Sequence, residues 1–180
     1  MTADRRPARR VRIRAARVAD TSALAALRWE FRAALDRASE PRDRFVPRCE
    51  RWMRERLRRG TGWRCWVAEV GGEVRGMVWL AQIEKLPNPS PSAEPEAHAY
   101  VTSLYVRPSE RGRGAGSSLL AEALRACGGG GTDAVILWPT PRSRSLYRRH
   151  GFAPPADLLE RDGSSGSLRP PRAAARTSSA

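Results

Sequence analysis

Between Val101 and Leu120 the chain reads VTSLYVRPSERGRGAGSSLL, and no other stretch restricts the fold as strongly. Val101 to Val106 is apolar and β-branched, which predicts a strand. Arg107-Pro108 ends that strand, because proline lacks an N–H and biases its predecessor away from helix. Glycines at 112, 114 and 116 then lead into Ser117-Ser118-Leu119-Leu120, which reads as the start of a helix. A glycine-rich turn between strand and helix lets several backbone N–H groups converge on one point. The helix end adds roughly half a positive charge. An anion cradle is therefore expected over Arg111, Gly112, Arg113, Gly114, Ala115, Gly116 and Ser117. The alternative is a glycine-rich connection that holds nothing.

Two common phosphate cradles do not fit. The P-loop needs a lysine after its last glycine, and none follows here. The dinucleotide fingerprint needs Gly-x-Gly-x-x-Gly, and Gly112-Arg113-Gly114-Ala115-Gly116 has a different spacing. The pattern present is Arg-x-x-Gly-x-Gly, carried by Arg111, Gly114 and Gly116.

The rest of the chain supplies a frame for that turn. Val11 to Arg14 alternates and reads as a short first strand. Asp20 is expected to cap a helix over TSALAALRWEFRAAL, with Leu24, Leu27, Phe31 and Leu35 facing the core. Pro41 breaks it. A second amphipathic helix is expected over Phe45 to Arg58, with Cys49, Trp52, Met53 and Leu57 on one side. Arg64 to Val70 and Val74 to Ile83 read as two strands joined by the hairpin signal Gly71-Gly72. A proline-rich loop follows from Leu86, and Ala97 to Val106 is the strand that feeds the glycine turn. Gly116 to Cys127 reads as helix. Ala134 to Trp138 reads as a strand buried on both faces, and Pro141 to His150 as a last helix. This order predicts an α/β or α+β sandwich around a mixed sheet. Residues 1–10 and 161–180 read as disordered ends on either side of one domain at 11–160.

The net charge of +14 invites a nucleic-acid reading. Of the 33 Lys+Arg residues only Lys85 is a lysine, and the arginines are scattered over helices and tails. No strip interleaves basic and aromatic residues as a single-strand binder does, so nucleic acid is not the expected partner. There is no apolar run of about 18 residues or more, so no membrane span is expected. The Arg-rich N-terminus lacks the apolar core of a secretory signal. Cys49, Cys65 and Cys127 form neither a zinc pattern nor a disulfide framework, and no metal is expected. A reducing cytoplasm is the expected setting.

A second block, Leu137 to Phe152, reads LWPTPRSRSLYRRHGF. Together with Arg111, Gly114 and Gly116 after a strand ending Leu104-Tyr105-Val106, it resembles the GNAT N-acetyltransferase superfamily. In that family an Arg/Gln-x-x-Gly-x-Gly loop binds the coenzyme A pyrophosphate. A later strand is followed by Asn-x-x-Ala-x-x-Leu-Tyr-x-x-x-Gly-Phe. Leu146-Tyr147 and Gly151-Phe152 match in spacing, while Thr140 stands for the Asn and Ser143 for the Ala. The resemblance covers roughly residues 11 to 155 and is sharp over 101–120 and 137–152.

The resemblance implies a mostly antiparallel central sheet with helices on both faces and a splay between two parallel strands, here 97–106 and 134–138. It implies acetyl-CoA as co-substrate, with its pantetheine along the backbone of Leu104, Tyr105 and Val106 and its pyrophosphate on the amides of Gly112 to Ser117. It implies an enzyme, an N-acetyltransferase in which a primary amine of a small molecule or protein attacks the thioester directly. Tyr147 is then the general acid for the leaving thiolate. For the base, Glu96 is the carboxylate on the same strand face as His98, Tyr100 and Thr102; Glu84, Glu94 and His98 are further candidates. Glu30 could reach the acceptor from the first helix. Cys127 reads as a small buried residue, and Trp138 as an aromatic beside the splay. A monomer or homodimer is expected. Two alternatives remain open on the sequence: a catalytically weak acyl-CoA-binding or regulatory module, and an acetyltransferase acting on aminoacyl-tRNA.

Overall fold

The structure is a computed structural model that describes residues 10–59, 62–87, 89, 97–128, 131–156 and 158–159. Of the segments read as disordered ends, 1–10 and 161–180, all but Arg10 lie outside the described residues, as does Glu96. Among the described residues five strands and four α-helices follow in the order β1 (Val11–Ala15), α1 (Thr21–Ala33), α2 (Arg42–Arg59), β2 (Trp63–Val70), β3 (Glu73–Glu84), β4 (Ala97–Val106), α3 (Ala115–Arg125), β5 (Ala134–Ile136) and α4 (Arg144–Arg149). The strands form one sheet in sequence order. The first four are antiparallel to their neighbours and β5 runs parallel to β4. Among the described residues no helix is long and apolar enough to cross a membrane.

The sheet separates two cores. On one face α3 brings Leu119, Leu120 and Ala123 onto Val78, Leu80, Ala99, Val101 and Val106, with Tyr147 of α4 in the same cluster. On the other face α1 and α2 bring Leu24, Leu27 and Met53 onto Val67, Met77, Trp79 and Tyr105. Trp63, which the helical and strand patterns leave unplaced, packs edge-on to Trp52 at 5.1 Å and Trp79 at 6.2 Å.

One irregularity in β4 sets which way its last residues face. Thr102 pairs with Trp79 and Tyr105 pairs with Met77, so Ser103 and Leu104 together oppose Val78 alone. This is a β-bulge, and Ser103 has φ +55°. Because side chains alternate with period two, one extra residue reverses the parity of the strand. Ala99 and Val101 face α3 before the bulge; Val106 faces α3 after it, and Tyr105 turns to the α1 side. Close packing holds the end of β4 against β3. A Cβ at Gly76 would lie 3.0 Å from the Tyr105 carbonyl oxygen and 3.1 Å from Val106 Cγ2.

Two local expectations are corrected. Asp20 does not cap α1 with its side chain, because its carboxylate is taken by Arg14 at 2.7 and 2.9 Å and by the Arg17 amide at 2.7 Å. The Arg14 guanidinium, which also holds Glu69, keeps the Asp20 carboxyl below the usual carboxylate range. β5 is apolar and parallel as read, but it is an edge strand of three residues and only partly covered. Its apolar run reflects one face toward α3 rather than burial on both.

Candidate active site

The parallel ladder between β4 and β5 covers His98 to Tyr100 against Ala134 to Ile136 and then stops. From Val101 to Val106 the outer edge of β4 has no strand partner among the described residues. Pro139 and Pro141 follow β5 closely, and a residue without an N–H cannot extend a ladder. The strands part beside the bulge, and the backbone of Leu104, Tyr105 and Val106 borders the gap.

The turn after β4 is open where the gap ends. Pro108–Glu110 makes a short 3-10 turn. Gly112 and Gly114 then adopt φ +78° and +80°, and Gly114 caps α3 in the left-handed conformation. That conformation is why glycine is needed at both positions. A Cβ at either would meet nothing within 4 Å, so the space before the turn is not filled by protein. Gly116 differs: its φ is ordinary, and a Cβ there would touch only Leu146 Cδ2 at 3.8 Å and Val106 Cγ2 at 4.0 Å. Neither backbone nor packing among the described residues demands glycine at 116. The first α3 bond runs from the Ser118 amide to the Gly114 carbonyl at 2.9 Å, and the amides of Gly112 through Ser117 have no acceptor among the described residues. Six successive free donors at a helix N-terminus fit a diphosphate.

Arg111 does not reach into that cradle. Its Nε donates to the Val106 carbonyl at 2.8 Å and its guanidinium lies 5.5 Å from the centre of the Tyr105 ring. Arg113 pairs with Glu110 at 3.3 Å. The Tyr105 side chain packs on Phe31 at 5.6 Å on the α1 side, so Tyr105 offers the gap its backbone only.

Tyr147 enters from the opposite wall. It is 8% exposed and shares a cluster with Val101, Val106 and Ala115. Burial pushes its phenol up to about 12, with the Ser143 hydroxyl opposing and Tyr100 adding a smaller rise. This is higher than the ordinary phenol value expected from the sequence, so the hydroxyl keeps its proton more firmly. The Gly151-Phe152 pair is a helix stop. The Phe152 amide bonds the Tyr147 carbonyl at 3.1 Å, the Gly151 amide bonds the Arg148 carbonyl at 3.1 Å, and Gly151 has φ +84°. This is a Schellman cap, and its usual apolar contact is Tyr147 on Phe152 at 5.7 Å. The spacing Tyr-x-x-x-Gly-Phe thus fixes the tyrosine by capping its own helix. Thr140 and Ser143 compensate one another at the other end: the Thr140 amide donates to Ser143 Oγ at 2.9 Å and the Ser143 amide to the Thr140 carbonyl at 3.0 Å.

Several contacts here have no sequence signal. Ser117 Oγ and His150 Nε2 lie 2.7 Å apart and lock the cradle helix to the end of α4. Arg28 Nη1 donates to Ser103 Oγ at the bulge, at 3.0 Å. Such partners, 33 and 75 positions apart in the chain, meet only through the sheet. Trp138 is 57% exposed and stands edge-on to Tyr100 at 5.1 Å, beside the gap as expected.

The candidate bases are scattered. Glu84 is exposed at the end of β3. Glu30 is bound through both oxygens by Arg107, at 3.0 and 2.8 Å. His98 Nδ1 is buried without a hydrogen bond, 3.7 Å from Asp133 Oδ2. Glu94 and Glu96 lie outside the described residues. Cys127 is half-buried, donates to the Ala123 carbonyl at 3.3 Å, and has its thiol pushed up by burial, which suits a packing residue. Among the described residues no group of His, Cys, Asp and Glu could hold a metal ion.

The acetyltransferase (GNAT) family model matches residues 24–152. This chain therefore belongs to the GNAT acetyltransferase family. Its fold is that of solved members. A predicted acetyltransferase from Clostridium acetobutylicum, crystallised with acetyl-CoA, is 22% identical with a TM-score of 0.67, over 85% of this chain and 96% of that one. A GCN5-related N-acetyltransferase from Ralstonia eutropha is 26% identical with a TM-score of 0.66, over 84% and 98%. An integron cassette protein from a salt-marsh metagenome is 24% identical with a TM-score of 0.67, over 88% and 91%. No curated protein sequence matches this chain significantly.

Proposed function

We propose that this chain transfers the acetyl group of acetyl-CoA to a primary amine of a small molecule or protein by direct attack. The observation that carries the reading is the run of free amides from Gly112 to Ser117, at the end of a strand edge with no partner among the described residues. When bound, acetyl-CoA supplies an acyl group activated as a thioester. The chain's own part is then to orient and to manage protons. The Gly112–Ser117 amides take the diphosphate, with no side-chain cation inside the cradle. The backbone of Leu104, Tyr105 and Val106 aligns the pantetheine. Tyr147 Oη keeps its proton at neutral pH and holds it toward the leaving sulfur. Glu96, the residue before β4 begins, is the proposed base for the acceptor ammonium. The test is thiol release by the full chain with acetyl-CoA and a panel of primary amines, alongside Gly114→Asp. Aspartate tolerates the left-handed conformation better than most residues, so the variant should fold. Its carboxylate stands where the diphosphate would lie, and binding of acetyl-CoA should be lost. Undiminished binding by that variant overturns the reading.

A further inference from the structure

Arg28 sits in the middle of α1 with its guanidinium at the bulge, and it lacks a counter-ion among the described residues. Comparably shielded arginines are matched by carboxylates: Arg14 by Asp20 and Glu69, Arg107 by Glu30. Arg28 instead donates to the neutral Ser103 hydroxyl at 3.0 Å. Burial, and then Arg32 one turn further along α1, push its pKa below the ordinary arginine value while leaving it charged at neutral pH. Among the described residues neither Arg28 nor Arg32 forms an ion pair with a carboxylate. Like charges at i and i+4 oppose a helix, and a part-buried cation without an anion costs free energy. The guanidinium lies 5.8 Å from the centre of the Phe31 ring, which limits how its fork can turn.

The position of that cation has a consequence for the acceptor. Ser103 is one residue before the Leu104–Val106 backbone that aligns the pantetheine in the proposed reaction. A group held by Arg28 is therefore beside the acyl end of the gap and away from the diphosphate cradle. We propose that Arg28 receives the anionic group of the acceptor, a carboxylate or a phosphate carried on the same molecule as the reacting amine. An arginine fork takes either oxyanion through two parallel hydrogen bonds. The Ser103 hydroxyl then serves as the contact that keeps the fork aimed at the bulge. This role for Arg28 rests on the acetyl-transfer reading of the same site.

Matched pairs of amines test it. With the full chain and acetyl-CoA, turnover of the amino acids is compared with their amides. Glucosamine 6-phosphate and phosphoethanolamine are compared with glucosamine and ethanolamine. The anionic member of at least one pair should have a kcat/KM roughly 10- to 150-fold higher, the range of a charged hydrogen bond. The pair that responds tells carboxylate from phosphate. Arg28→Gln should collapse that ratio to about one, and Arg28→Lys should restore part of it, since lysine keeps the charge and loses the fork. A merely structural arginine would lower both members alike and leave the ratio intact. Equal use of both members by the unaltered chain, or an unchanged ratio in Arg28→Gln, overturns the proposal. Calorimetry of each pair against the CoA-loaded protein reads the same preference without turnover, and equal heats for both members also overturn it. A chain that gives no heat with CoA itself defeats the acetyl-transfer reading, a signature distinct from either failure.

Discussion

Glu30 and Arg107 form a two-pronged clamp: both carboxylate oxygens accept from one guanidinium, at 3.0 and 2.8 Å. The clamp joins the middle of α1 to the residue where β4 passes into the glycine turn. The hydrogen bonds to Glu30 hold the Arg107 guanidinium above its usual range.

Glu30→Gln should therefore act on stability and leave proton transfer alone. The pair is partly exposed, so the loss is about 1 kcal/mol, at the modest end for charged hydrogen bonds. Urea unfolding measures it. The pH profile of kcat should keep its shape. A fall in kcat of about 100-fold or more, the mark of a lost base, would reassign Glu30 to catalysis.

Tyr147→Phe should lower kcat by about 100-fold, at the lower end for a positioned general acid. Affinity for CoA should stay within about threefold, less than 1 kcal/mol. Phe152 still has a ring to pack on, so the helix cap survives. Wild-type turnover in the variant would remove Tyr147 from the acid role.

The same phenol gives an alkaline signature. Its folded pKa is raised by burial from 10.0 to about 12. A raised folded pKa means that its contribution is fully present below the unfolded value. Stability is then lost as pH rises from 10 toward 12, by about 3 kcal/mol. Denaturant titrations at intervals across that window should show the decline, with Tyr147→Phe flatter by about that amount. A slope identical in both proteins would contradict the burial of the hydroxyl.

Gly116→Ala should separate folding from binding. An alanine in a helix is about 0.5–1 kcal/mol more favourable than glycine, and the added Cβ meets only ordinary contacts. Melting temperature should hold or rise. CoA affinity should nonetheless drop about tenfold or more, because a methyl then stands between the amides and the diphosphate. Retained affinity would mean that the ligand does not approach Gly116.

What could be read from the sequence was local. The limits of β4 follow from its apolar pattern and from Pro108, and the structure gives the same ten residues. Gly112, Gly114 and Gly151 announce backbone that other residues rarely adopt, and all three have positive φ. The bulge was not legible, because one serine inside an apolar run does not mark where a ladder slips; the left-handed φ of Ser103 coincides with the register shift opposite Val78. Alternation correctly grouped His98, Tyr100 and Thr102, yet it could not show that parity reverses one residue later. Glu30 read as an exposed helical charge that could reach the acceptor, because its partner is 77 residues away. Asp20 read as a cap because only folding brings Arg14 and its amide competitor within reach.

The bulge at Ser103 also puts regularity and chemistry in opposition. Removing one residue there would give β3 and β4 an unbroken ladder and relieve a serine from a left-handed backbone. The same shortening would keep Tyr105 opposite Met77 and Val106 opposite Gly76, with Val106 still toward α3, but it would remove Ser103, the hydroxyl that Arg28 holds. A screen that rewards only thermal tolerance would favour such a deletion, and the survivor would be a sturdier sheet whose Arg28 had lost the hydroxyl that aims it.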